Sequence, residues 1–194
     1  MTIGVVHRPK PGNPICGDAW LAIERPTRTL VCVCDGLGSG SAARHASEQA
    51  LTTVNAKADL PLAEILNECN GALQGTRGAA VGLLGIYAGE RRVDYAGVGN
   101  IEVRTRREWG FGPLSLRGIV GSTNYRVPRV YDAAYEPGEW LLLHSDGLRS
   151  RFDLSMEMLR AGAQANSPQG LADHLAACYG REGDDLTLLV LQLP

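Results

Sequence analysis

The chain has 194 residues, 44% of them hydrophobic and 21% charged, a length that suits one domain (1–194) and an apolar content that excludes a disordered segment. Nineteen basic against 21 acidic residues leave a formal charge of −2, which gives neither nucleic acid nor an anionic membrane a broad surface to bind. Five scattered cysteines (Cys16, Cys32, Cys34, Cys69, Cys178) lack the C-x-x-C spacing of a zinc site and read as reduced thiols of a cytoplasmic protein.

The opening MTIGVVHRPKPGNP meets proline and charge too early for a secretory signal. Asp18 to Glu24 alternates like a half-buried strand, and Thr29 to Cys34 reads as a fully buried one, with Arg25 to Arg28 as the turn between them. After a glycine-rich turn, a helix is expected from about Ser41 to Lys57, with Ser41 as N-cap and Ala43, Ala46, Ala50 and Val54 as its small apolar face. The next helix starts at Pro61 and carries Leu62, Ile65, Leu66, Cys69 and Leu73 at helical spacing.

Beyond Gly78 the period changes to that of strands. Ala79 to Ala88 and Arg91 to Val98 read as a hairpin around Gly89-Glu90, and Ile101 to Arg106 is expected to pair next. The run Ala79 to Gly89 is the longest apolar stretch, far short of the ~20 residues that span a bilayer. A turn-rich region leads to an alternating stretch from Tyr125 to Tyr131, and then to an apolar strand from Trp140 to His144. Helices follow around Ser155 to Ala163 and Pro168 to Cys178, and Leu186 to Leu193 closes the chain as a buried strand. This order predicts an α+β fold: two mainly antiparallel β-sheets packed as a sandwich, flanked by α-helices on both faces.

The acids sit at telling places. TLVCVC runs into Asp35-Gly36, WLLLHS into Asp146-Gly147, and Gly183-Asp184-Asp185 runs into LTLLVL; Gly17-Asp18 starts the strand AWLAIE. One Asp-Gly pair alone is an ordinary turn. Several carboxylates at the mouths of buried strands are partly desolvated and repel one another, and an all-oxygen cluster of that kind suits Mg²⁺ or Mn²⁺. The stretch Gly36 to Ser41 also fits the turn of a nucleotide- or S-adenosylmethionine-binding fold, although two consecutive helices followed by a hairpin disfavour it. GLGSG has Gly38 where a nucleophile elbow needs serine. His144 reads as a hydrogen-bonded strand histidine and His45 as a solvated helix residue.

Together, CDGLGSG, LLLHSDGL and GDDLTLLVL resemble the metal-binding motifs of the metal-dependent protein serine/threonine phosphatases, the protein phosphatase 2C (PPM) superfamily. Gly17-Asp18 matches the first acidic motif and YAGVGNIEVR the central strand pair, so the likeness runs from about Gly12 to Leu193. The small size and the DGLGSG form are closest to the SpoIIE-like bacterial branch, and within it to RsbX-type phosphatases that reset the stressosome. The resemblance implies a phosphoserine/phosphothreonine protein phosphatase with two divalent cations, Mn²⁺ or Mg²⁺. Asp35 would bridge both metals, with the carbonyl of Gly36 beside it. Asp146 and Asp184 would bind the second metal, Asp185 would be a weaker ligand, and Asp18 would act through water. Asp18, Asp35, Asp146 and Asp184 are thus the implied catalytic set, serving direct attack by a dimetal-bound hydroxide. The implied partners are phosphorylated regulatory proteins of the stressosome-scaffold type, with no nucleic acid and no membrane, and the chain would be a monomer.

Two positions depart from the family pattern. Leu37 stands where many relatives carry a proton-donating His, and Asn13 where others carry a phosphate-binding Arg. Arg8, Lys10 or another basic residue is left to steer the phosphate. The absence of a flap insert implies an open, shallow site suited to a phosphosite on a protein surface. The alternatives are a partner-binding pseudophosphatase of the same fold and a nucleotide- or S-adenosylmethionine-binding enzyme.

Overall fold

The computed structural model describes residues 1–194. Nine strands form two sheets. β1 (Thr2–Arg8), β9 (Leu186–Gln192), β8 (Trp140–His144) and β6 (Glu102–Thr105) lie in that order in one; β2 (Asp18–Glu24), β3 (Thr29–Gly36), β4 (Ala79–Tyr87), β5 (Arg92–Val98) and β7 (Tyr131–Ala134) form the other. Every pairing is antiparallel. That topology excludes the nucleotide-binding alternative, which needs parallel strands joined by crossover helices.

Strand alternation builds three apolar layers. Val31, Val33, Leu141, Leu143, Leu189 and Leu191 face inward between the sheets. Leu30, Cys32 and Cys34 face outward onto α1 (Ser41–Ala56) and α2 (Leu62–Ala72), joining Ala50, Val54, Ile65 and Leu66. Leu142, Leu188 and Val190 face the other way, onto α3 (Leu154–Ala161) and α4 (Pro168–Tyr179). The result is the expected sandwich with helices on both faces.

Several local expectations are corrected. β6 does not continue the hairpin of β4 and β5; it pairs with β8 in the opposite sheet. Gly99, at φ 98, turns the chain across the sandwich, and Ile101 and Val103 then join the inter-sheet core. The stretch Tyr125–Tyr131 is a strand only from its last residue onward: Pro128 lacks an N–H, and Val127 and Val130 are exposed without a partner. The N-cap of α1 is Gly40 rather than Ser41, and no side chain caps it. The hairpin turn is a short 3₁₀ segment, Ala88–Glu90, followed by Arg91 at φ 49.

The sequence reading also lacked β1. This edge strand pairs with β9 across almost the whole chain length, from Thr2 opposite Gln192 to Arg8 opposite Leu186. Its outer side is partly satisfied by a side chain: Gln169 Oε1 accepts the Val5 N–H at 2.9 Å while Gln169 Nε2 donates to the Val5 carbonyl at 3.0 Å. Gly4 permits this approach, because a Cβ there would fall 2.2 Å from the Pro168 carbonyl carbon and oxygen. Gly4→Ala is therefore expected to destabilise the protein by about 1–3 kcal/mol in urea unfolding. An unchanged midpoint would show that α4 does not hold β1 this way.

Candidate metal centre

Asp18 opens β2 and Asp35 closes β3, and the antiparallel register sets the two directly opposite each other. Asp35 shares the parity of Val31 and Val33, so it emerges at one end of the space between the sheets. The other sheet delivers Asp146 just after β8 and Asp184 just before β9, at the same end. Asp35, Asp146 and Asp184 line one cavity of about 480 Å³, together with Leu37, Asn100 and Arg117.

Asp18 lies beneath that cavity, 1% exposed. Its Oδ2 accepts from Ser145 Oγ at 2.6 Å, and Ser145 Oγ accepts the Thr187 N–H at 3.0 Å. This chain of bonds ties β2 of one sheet to β9 of the other directly under the acids. Asp185 faces elsewhere: its two oxygens accept the Gly17 N–H at 2.7 Å and the Lys10 N–H at 2.8 Å, pinning the loop before β2. Asp184 Oδ1 in turn accepts the Asp185 N–H at 3.0 Å.

The glycines of both Asp-Gly pairs serve close approach rather than a left-handed turn, since neither has a positive φ. A Cβ on Gly36 would lie 2.0 Å from the carbonyl oxygen of Ala43 in α1, and a Cβ on Gly147 would lie 2.0 Å from that of Asp185. The ends of β3 and β8 can thus crowd against α1 and β9, which brings the acids of the two sheets together.

No ion pair compensates Asp18, Asp35, Asp146, Asp184 or Asp185. Burial, and then the charge of Asp35, pushes the Asp18 carboxyl up to about 7. Burial likewise lifts Asp35 to about 6, with Asp146, Asp184 and Asp185 adding repulsion against the Asn100 amide, which donates to Asp35 Oδ2 at 3.1 Å. Asp184 is raised by burial and by Asp146. Two like unit charges 4 Å apart repel by about 4 kcal/mol near a protein surface. The side chains do not already close on one point, as no three His, Cys, Asp or Glu groups stand together at metal-binding distance. The donor set nevertheless fits hard divalent cations: oxygen ligands only, mutually repelling and unpaired.

The remaining candidates lie elsewhere. Arg8 donates to the Arg181 carbonyl at 3.4 Å, and neither Arg8 nor Lys10 lines the cavity. Asn13 is used locally, accepting the Ile15 N–H at 3.3 Å. His144 is fully buried; its Nδ1–H donates to the Ser145 carbonyl at 2.8 Å, and burial lowers its pKa, so it stays neutral. His45 is exposed on α1. Sequence reasoning missed Asn100, Ser145 and Arg117. Ser145 was adjacent to a motif acid, and Asn100 followed the Gly that crosses the sandwich, but Arg117 sits in a turn-rich stretch with no periodic signal.

The family model of stage II sporulation protein E (SpoIIE) matches residues 25–194. The chain belongs to the SpoIIE family. Phosphoserine phosphatase RsbX of Bacillus subtilis (strain 168) is 30% identical over 187 residues, covering 95% of this chain and 90% of RsbX. RsbX in complex with magnesium superposes with a TM-score of 0.84 at 30% identity, covering 98% of this chain and 94% of that one. A chain from "The bacterial stressosome: a modular system that has been adapted to control secondary messenger signaling" gives 0.87 at 29% identity, covering 97% of both. As a SpoIIE-family member the chain is a PP2C-type protein serine/threonine phosphatase. No helix is long and apolar enough to cross a membrane.

The raised acids of this cavity give a pH test. A carboxyl whose folded pKa exceeds its ordinary value of 3.8 destabilises the fold as pH rises from there through about 7 for Asp18 and about 6 for Asp35. A cation bound among them displaces those protons and offsets the repulsion, so its benefit grows over the same window. The thermal shift on adding Mg²⁺ is expected to be several degrees larger at about pH 7.5 than at about pH 5.5. His7 and His144, whose pKa values burial lowers, act with the opposite sign, so they cannot be the source of that loss of stability with rising pH in the metal-free protein. An equal shift at both pH values would contradict the coupling.

Proposed function

We propose that this chain dephosphorylates phosphoserine or phosphothreonine on a stressosome-type regulatory protein in the cytoplasm, with Asp35, Asp146 and Asp184 holding two divalent cations, Mn²⁺ or Mg²⁺. The observation that carries this reading is the convergence of carboxylates from both sheets on one cavity, none of them held in an ion pair. Relatedness to RsbX and to a stressosome structure supports the partner class. Five free cysteines support a reducing compartment.

Bound there, the cations would neutralise phosphoryl oxygens and lower the pKa of water, which supports direct hydrolysis without a covalent phosphoenzyme. The chain's own residues prepare that chemistry. Asp35 is held by the Asn100 amide, and Gly36 continues the same strand with a backbone carbonyl available as a ligand. Asp18 acts from beneath, through water, braced by Ser145 and Thr187. Asp185 is assigned a positioning role, since both its oxygens are engaged by backbone N–H groups and its own N–H holds Asp184. Leu37 contributes an apolar wall and no proton, so departure of the seryl oxygen relies on water. The cavity opens at the surface, where a phosphosite on a folded partner can reach it.

Hydrolysis of p-nitrophenyl phosphate with and without Mn²⁺ tests the chemistry. Wild-type protein is expected to show metal-stimulated turnover. Asp35→Asn is expected to lose two or more orders of magnitude, since even groups one shell removed from a metal contribute about 10- to 100-fold. Wild-type turnover in Asp35→Asn would sink the assignment. Mass analysis of a panel of phosphorylated regulators tests the partner class: if every regulator stays intact while the small ester is cleaved, the stressosome reading fails alone.

A further inference from the structure

A cavity walled by three carboxylates must still accept a phosphoryl dianion, and it needs a positive group aimed at the incoming oxygens as well as whatever the acids hold. Arg117 is the single cationic side chain among the cavity-lining residues. Arg25, Arg44, Arg92, Arg104, Arg106 and Arg160 are each committed to a carboxylate; Arg117 forms no ion pair, nor does Arg77, whose guanidinium packs behind Gly38 rather than lining the cavity. It is exposed at the cavity rim, so its guanidinium is free to engage a ligand.

Its backbone is nonetheless fixed. On one side, the Leu116 N–H donates to the Gly97 carbonyl at 2.8 Å and the Leu116 carbonyl accepts the Gly99 N–H at 2.8 Å. On the other, Val120 and Ala79 exchange two such bonds at 2.9 and 3.0 Å. Only Arg117, Gly118 and Ile119 arch between these anchors, over the ends of β4 and β5 and beside Asn100. A long turn-rich connection is thereby stitched down at the one place where it borders the acids. The planar guanidinium fork offers paired N–H donors matched to two oxygens of one phosphoryl group, a match that a lysine ammonium does not reproduce.

We propose that Arg117 is the phosphoryl-binding side chain of this site, gripping the non-bridging oxygens of a phosphate monoester. The assignment rests on the cavity being the phosphatase site proposed above, and direct binding separates the two. Inorganic phosphate is titrated into the full chain at saturating Mg²⁺, read by calorimetry or ³¹P line width, for wild type, Arg117→Ala and Arg117→Lys. The wild type is expected to bind phosphate, Arg117→Ala to weaken binding by roughly 10- to 100-fold, and Arg117→Lys to fall between them. Thermal midpoint and Mg²⁺ affinity, measured on the same samples, are expected to be retained in Arg117→Ala. Phosphate binding of wild-type strength in Arg117→Ala overturns the assignment, as does a wild type that binds no phosphate. Arg117-dependent phosphate binding in a wild type that hydrolyses no ester upholds the assignment and overturns the phosphatase reading instead.

Discussion

Asp35 stands near the end of a strand with a buried middle, opposite Asp18, with Asp146 and Asp184 arriving from the other sheet, and none of these acids forms an ion pair. Buried like charges are among the costliest arrangements a fold can hold, because desolvation and repulsion act in the same direction. Burial and the neighbouring acids both drive the Asp18 and Asp35 carboxyls toward protonation. The rest of the architecture is what keeps them in place regardless.

Three devices do so. The inter-sheet core, anchored by Val31, Val33, Leu189 and Leu191, fixes how the two sheets meet and hence where their ends lie. The Asp18–Ser145–Thr187 hydrogen bonds join the sheets directly below the cavity, so the charged ends cannot splay without breaking buried polar contacts. Asp185 clamps the loop ahead of β2 through the amides of Lys10 and Gly17, and Gly36 and Gly147 remove the side-chain bulk that would separate the elements. Above these contacts the cavity stays open at the surface, with Arg117 at its rim.

Much of this was legible in the sequence. Thr29–Cys34, Trp140–His144 and Leu186–Leu193 announce themselves because strands buried on both faces are continuously apolar, and the acids at their ends mark the site. The pairing of β1 with β9 was not, since its partner lies at the far end of the chain and only Gly4 of β1 is fully buried. The crossing at Gly99 defeated the hairpin reading of β6 for a similar reason: local alternation specifies a strand, not the sheet that receives it. Within the site, adjacency made Asp184 and Asp185 look alike. Only the fold shows that one lines the cavity while the other is occupied by backbone amides. Arg117 depends on how a turn-rich segment is pinned at both ends, which no periodicity encodes.

Crystals soaked in Mn²⁺ and measured at the manganese absorption edge test the central claim most directly, because anomalous scattering locates the cations without reference to activity. The account predicts two peaks inside the cavity bounded by Asp35, Asp146 and Asp184, with the carboxylates drawn toward them. A cavity free of anomalous signal at saturating Mn²⁺, with the acids still apart, would contradict it.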